Sequence, residues 1–141
     1  MKRVYVAGPY SADNVLNVLR NIGRGEQMCA ELFKLGFAPF CPWHDKSYVM
    51  DNPEQDFTVQ QFYDYSMAWL EVSDAVLLTG KWHTSKGTLK EVERADELGI
   101  PVFRGILELV KWAQTTDNNR VFSADGDGAV EELLGMFGMK K

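Results

Sequence analysis

The segment Ser85-Lys86-Gly87-Thr88-Leu89-Lys90-Glu91 carries the best-spaced chemistry in the chain. It follows the apolar run Asp74 to Thr79, so Ser85 is expected at the N-cap of a helix just after a central strand. A serine hydroxyl, free backbone N–H groups and an adjacent lysine at a helix start make a site for an anion, with phosphate the obvious guest. Glu91 lies four residues beyond Gly87, which puts both on one helical face a turn apart. The missing side chain at 87 leaves space over the carboxylate, enough to hold a sugar against it. A plainer reading makes Ser85 a simple cap and Glu91 a solvated helix charge, and pattern alone leans toward that one.

A second group opens the chain. Arg3 to Ala7 is short, β-branched and aromatic, and it stops at Gly8-Pro9, the mark of a buried strand entering a turn. Gly8-Pro9-Tyr10-Ser11 offers a backbone turn and a hydroxyl, with Asn14, Asn17 and Arg20 in the first turns of the next helix. Tyr5, near the end of the strand, either packs against a helix or sets its hydroxyl beside a ligand. Tyr10, Trp43 and Trp82 fall in loops at the same edge, where they stack on a base or serve an interface.

Other signals fail. No G-x-G-x-x-G follows the first strand, and Gly80-Lys81 continues into Trp82 instead of completing a phosphate-binding loop. Asp125 and Asp127 lack calcium-loop spacing. His44 and His83 stand alone, and Cys29 and Cys41 form no C-x-x-C. Neither a metal nor a cofactor is expected, and both cysteines read as buried free thiols.

These groups need a scaffold, and strands alternate with helices throughout. Asn14 to Leu35 keeps helical spacing through Val15, Val18, Leu19, Ile22, Cys29, Leu32 and Phe33, with Gly36 as its stop. Gly23 and Gly25 inside it each weaken that helix by about 1 kcal/mol. Phe37 to Cys41 is a second strand, and the polar loop from Pro42 to Gln55 is long enough to be a lid. A helix over Phe57 to Val72, a strand over Asp74 to Thr79 and a helix over Ser85 to Leu98 follow, the last with Leu89, Val92, Ala95 and Leu98 facing inward. Pro101 to Arg104 is the next strand and Ile106 to Ala113 the next helix. A polar linker, Thr115 to Gly128, leads to a short helix from Ala129 to Phe137. This order predicts an α/β fold, Rossmann-like or flavodoxin-like: a three-layer sandwich around a parallel sheet of four to five strands, with ligands outside the strands' carboxyl ends.

With 141 residues, 45% of them hydrophobic, the chain is sized for a single domain, its core spanning about residues 1–114. A net charge of −5 and scattered basic residues argue against a nucleic-acid polymer as partner but not against a small anion. No apolar run reaches the length of a membrane span, and no signal-peptide core precedes the first strand. A cytoplasmic location is expected.

Taken in order, VYVAGPYS, the helix end LGFAPFCP and the stretch WLEVSDAVLLTGKWHTSKGTLKEVERADELGIPVF resemble the nucleoside 2-deoxyribosyltransferase-like superfamily over about residues 1 to 105. Within it the chain is similar to the 2′-deoxynucleoside 5′-phosphate N-hydrolases, and S-x-G-x-x-x-E is the most specific part. The resemblance implies that Glu91 is the nucleophile at the anomeric carbon, with Tyr5 the strand tyrosine of the site. It implies that Ser85 and Gly87 bind the 5′-phosphate and that Gly8 forms the turn beside them. It also implies an aspartate eight residues before Asp74, where this chain has Ser66, with Asp64 two residues away. The acid that protonates the leaving base stays open among Asp64, His44 and Asp45. The implied activity is N-glycosidase cleavage of a (deoxy)nucleoside 5′-monophosphate by retaining-glycosidase chemistry. A deoxyribosyltransferase and a non-catalytic nucleotide sensor are the alternatives; Ser85 and the cations near it favour the hydrolase, and Ser66 favours the sensor. Family likeness further implies a homodimer or higher homo-oligomer, for which Trp69, Trp112 and the aromatic stretch Phe57 to Trp69 are candidate contacts.

Overall fold

The computed structural model describes residues 1–116. Within them an all-parallel sheet of four strands, β1 (Arg3–Ala7), β2 (Ala38–Phe40), β3 (Ala75–Leu78) and β4 (Val102–Phe103), runs in the order β2-β1-β3-β4. The helices are α1 (Val15–Lys34), α2 (Lys46–Met50), α3 (Val59–Leu70), α4 (Lys86–Glu97) and α5 (Ile106–Thr116), with 3-10 turns at Pro42–Asp45 and Trp82–Thr84. This is the expected α/β architecture, with the strand order of a flavodoxin-like sheet. Gly36 and Gly99 end α1 and α4 at φ of 91° and 70°, a left-handed conformation that glycine adopts without strain. The helix expected over Ala129 to Phe137 lies outside the described residues, and Thr115 and Thr116 of the expected linker belong to α5.

Strand parity assigns the two faces. Val4 and Val6 of β1, with Ala75 and Leu77 of β3, pack on one side against Ile22, Cys29 and Leu32 of α1 and Leu109, Val110 and Ala113 of α5. Tyr5 and Ala7, with Val76 and Leu78, pack on the other side against Leu70 of α3 and Ala95 of α4. Because alternate residues point to opposite faces, Tyr5 is aimed at the layer formed by α3 and α4. The register Tyr5↔Val76 and Ala7↔Leu78 ends both strands at one level. Among the described residues, no helix is long and apolar enough to cross a membrane.

The helix faces differ from the sequence expectation in two places. In α1 the buried stripe is Ile22, Gly25, Cys29 and Leu32, while Val15, Leu19 and Phe33 are exposed. In α4 the inward residues are Thr88 and Ala95, with Glu91 and Val92 partly buried between them, whereas Leu89 and Leu98 are 45% and 42% exposed. The helix is rotated so that a hydroxyl and a carboxylate, not two leucines, face the sheet.

The segment expected as an open lid is partly a wall. Pro42–Asp45 and α2 are helical, and Trp43 and Asp45 are buried. Trp43 lies flat against Gly25 of α1, where an added Cβ would stand 2.4 Å from the indole, and its Nε1 donates to the Pro9 carbonyl at 3.2 Å. Cys29 and Cys41 are free and buried nearby. Trp69 is half-exposed and stacks on Phe40, while Trp112 packs against Phe103 on the core.

Candidate active site

The chain leaves β1 toward β2 on one side and returns past β1 to β3 on the other, which opens a crevice at the carboxyl ends of β1 and β3. Gly8 follows β1 there and lies so close to β3 that a Cβ would stand 2.8 Å from both Thr79 Cγ2 and the Thr79 carbonyl oxygen. Any larger residue at this position would push the two loops apart. Over the crevice lies a cavity of about 610 Å³, a size suited to one small ligand. Gly8, Tyr10 and Ser11 line it from the loop after β1, and Trp43, Asp45, Lys46 and Val49 from the segment after β2. Phe62, Tyr63 and Ser66 come from α3, and Ser85, Lys86, Gly87, Thr88 and Glu91 from the start of α4.

Glu91 is held by the strand beneath it. The Tyr5 hydroxyl donates to Glu91 Oε1 at 2.9 Å, a contact that requires both the parity of β1 and the rotation of α4. Tyr5 is fully buried, and desolvation followed by the Glu91 charge raises its pKa well above the ordinary value, so it remains a donor. Desolvation pushes the Glu91 carboxyl up to about 7, against the lowering effect of the Tyr5 hydrogen bond. Ser66, also buried, faces the Tyr5 hydroxyl from α3 and works against the upward shift of its pKa. The result is a chain of three hydroxyl and carboxyl groups, Ser66, Tyr5 and Glu91, under one cavity.

The rim is the start of α4. Ser85 is its N-cap, accepting from the Thr88 N–H at 3.2 Å, and this leaves the N–H groups of Lys86 and Gly87 available to an anion. Space over Gly87 is bounded by the ring of Tyr63, whose Cε1 would lie 3.4 Å from a Cβ there. Thr88 is 1% exposed, and its Oγ1 has no hydrogen-bond partner among the described residues. A buried hydroxyl without a partner costs about 1–3 kcal/mol, so Thr88→Val should stabilise the ligand-free protein by about 1 kcal/mol in urea unfolding. The same variant should bind ligand less well, and loss of stability without loss of binding would remove Thr88 from the site.

On the opposite wall Asp45 is buried, and desolvation raises its pKa while the Tyr10 hydroxyl, hydrogen-bonded to it, and the Lys46 charge lower it. Tyr10 is pushed up to about 12 by desolvation and by the Asp45 carboxylate. Lys46 in turn donates to Glu26 of α1.

The structure therefore gathers Glu91, Tyr5, Gly8, Tyr10, Ser11, Ser85 and Gly87 into one place. Four candidates lie elsewhere. Asn14 caps α1 by accepting from the Asn17 N–H, and Arg20 donates to Asn17 on the exposed side of that helix. Asp64 is exposed on α3, where it accepts from Gln60. Trp82 packs on the β3–α4 layer with Arg104 over its ring. Trp43 reaches the cavity as a core residue, not as a free stacking surface, and His44 is exposed beside Glu26. Phe62, Tyr63, Lys46 and Thr88 are cavity residues that the sequence did not single out; only Thr88, adjoining Gly87 and three residues before Glu91, had a usable signal. Among the described residues no cluster of His, Cys, Asp and Glu has the arrangement of a metal site.

No curated protein matches the chain. A solved structure of a 2-deoxyribosyltransferase from the psychrotolerant bacterium Bacillus psychrosaccharolyticus is similar to it at 20% identity, covering 71% of this chain and 69% of that one with a TM-score of 0.52. At that identity the likeness establishes a common fold. A family model described as a domain of unknown function, DUF7768, matches residues 2–104. That span runs from β1 through β4 and takes in every described residue that lines the cavity, and the chain belongs to this family.

Proposed function

We propose that this protein is an N-glycosidase that splits a (deoxy)nucleoside 5′-monophosphate into base and sugar phosphate. One observation carries the reading: Glu91, fixed by Tyr5, lies on the floor of a cavity whose rim is the capped N-terminus of α4. A sugar over Glu91 then has its 5′-phosphate one helical turn away, at the free N–H groups. With one carboxylate oxygen occupied by the Tyr5 hydroxyl, the other is free to attack the anomeric carbon, forming the glycosyl-enzyme intermediate of a retaining mechanism. Water then resolves it. The fold shared with a 2-deoxyribosyltransferase is consistent with chemistry at the same bond, and the anion site at Ser85 favours a phosphorylated substrate.

The deciding experiment incubates the protein with nucleosides and their 5′-monophosphates and measures free base. Monophosphates alone should be cleaved; transfer to a second base without hydrolysis would make the protein a transferase. Ser85→Ala should weaken monophosphate binding by about 1.5–3 kcal/mol, the value of a charge-assisted hydrogen bond, and leave nucleoside binding nearly unchanged. Because Ser85 also caps α4, the variant should lose about 1 kcal/mol of stability, which calorimetry of both ligands separates from the phosphate effect. Equal weakening of the two ligands would reduce Ser85 to a cap.

A second reading, a nucleotide sensor without turnover, rests on Ser66. It occupies a buried position beside Tyr5 on the cavity wall, where a hydroxyl is too weak an acid to serve a leaving base.

A further inference from the structure

We propose that Asp45 is the catalytic acid of this site, donating its proton to the departing base; the inference rests on the N-glycosidase reading of Glu91. Breaking a C–N glycosidic bond leaves an electron pair on the heterocycle, and a positioned acid lowers the barrier by neutralising it. Among the described residues, two acidic side chains line the cavity, Glu91 and Asp45. They stand on either side of β1, since Asp45 follows β2 and Glu91 lies in the helix after β3, and β1 separates those strands in the sheet. A sugar over Glu91 thus presents its base toward the wall that holds Asp45, between the apolar side chains of Val49 and Phe62.

The surroundings suit a proton donor. Asp45 is 8% exposed, and burial favours its neutral form. The groups that face it are Tyr10 from the loop after β1, Lys46 on α2, Tyr5 on β1 and Tyr65 on α3, and Glu26 on α1 takes up the Lys46 charge. The Tyr10 hydroxyl faces the Asp45 carboxyl, which lines the cavity where the base would lie. Asp64 is exposed and engaged by Gln60, and Ser66 carries no acidic proton near neutrality.

The step balances. As a Glu91 oxygen forms its bond to the anomeric carbon, the C–N bond breaks, its electron pair stays on the base, and the Asp45 proton neutralises that base. The Asp45 carboxylate then takes a proton from water as the water oxygen attacks the same carbon and displaces Glu91. Sugar phosphate leaves, and both carboxyl groups return to their starting states.

The test compares two leaving groups on the full chain: the four common 2′-deoxynucleoside 5′-monophosphates, and 4-nitrophenyl 2-deoxyribofuranoside 5-phosphate, whose nitrophenolate departs without a proton. Asp45→Asn should lower base release by about 10²–10⁴-fold and nitrophenolate release far less, so the ratio of the two rates falls steeply. Asp45→Glu, which keeps an acid in the cavity, should restore much of the wild-type ratio. Circular dichroism checks the fold, and Asp45→Ser takes the place of Asp45→Asn if the latter unfolds. A parallel fall in both rates, or an unchanged ratio, overturns the proposal. Wild-type protein that releases nitrophenolate but no base overturns the role of Asp45 and leaves that of Glu91 standing. Wild-type protein inert toward both overturns the N-glycosidase reading, and the acid with it.

Discussion

Glu91→Gln is expected to reduce base release from nucleoside 5′-monophosphates by about 10⁴–10⁶-fold, the scale seen when a catalytic nucleophile is removed. Glutamine keeps the size of the side chain and can still accept the Tyr5 hydroxyl through its amide oxygen, so nucleotide affinity and fold should survive. Calorimetric binding by the variant alongside turnover by the wild type supports the mechanism; turnover that persists in the variant removes Glu91 as nucleophile. The acidity of Glu91 provides a second readout. Its carboxyl is raised from 4.5 to about 7 by burial, so below 4.5 both native and unfolded chains hold the proton. Between 4.5 and 7 the native chain keeps it while the unfolded chain has lost it, and stability falls as pH rises through this window. The loss amounts to on the order of 3 kcal/mol, whereas Glu91→Gln should show a flatter profile. Urea unfolding of both proteins at pH 5 and pH 8 measures the difference, and equal slopes would mean that the carboxyl is not desolvated. The wild-type rate should rise as the Glu91 nucleophile ionises and fall where Asp45 loses the proton it donates.

Two glycines two positions apart, Gly23 and Gly25, should respond to alanine in opposite directions. A Cβ at Gly23 meets nothing within 4 Å, and Gly23→Ala should stabilise the protein by about 0.5–1 kcal/mol through helix propensity alone. At Gly25 the same methyl would stand 2.4 Å from Trp43 Cδ2 and Cε3. Trp43 is 1% exposed and tied to the Pro9 carbonyl, so the indole has nowhere to go without moving the loop that carries Asp45. Overpacking of this kind costs about 1–3 kcal/mol, and a broken Trp43–Pro9 hydrogen bond adds about 1 kcal/mol. Gly25→Ala should therefore destabilise by about 2–4 kcal/mol despite its better helix propensity. Denaturant midpoints of the two single variants decide the matter, and stabilisation of Gly25→Ala would mean that Trp43 is not seated on α1.

Much of this was legible in the residues. The alternation of short apolar runs with helical periodicities, two of them stopped by Gly36 and Gly99, specifies the α/β order because those signals are local: they depend on neighbours within a turn or a strand. The Ser85 cap is local too, since it needs only Thr88 three residues on. Spacing also placed Gly87 and Glu91 on one face, although it could not say which way that face points. Hydrophobicity turned α4 toward Leu89 and Leu98; the structure turns it toward Thr88 and Glu91. A count of apolar residues cannot see that Tyr5, more than eighty residues earlier, places a buried hydroxyl where the carboxylate must go.

The same limit explains Asp64 and Asp45. Both are loop- or helix-borne carboxylates near predicted functional segments, and the sequence left the acid open among Asp64, His44 and Asp45, Asp64 being the one two residues from Ser66. On a helix two residues span about 200°, which carries Asp64 to solvent while Ser66 faces the sheet. Asp45 enters the cavity only because Pro42–Asp45 winds into a 3-10 turn anchored by Trp43 on Gly25, a contact between segments joined by no local signal. Sequence by itself determined the four strands, the longer helices and their order, because periodicity and caps act within a few residues, but not the helical turns of Pro42–Asp45 and α2. Tertiary structure decided which side of each element faces the ligand, because that orientation is set by packing between residues far apart in the chain.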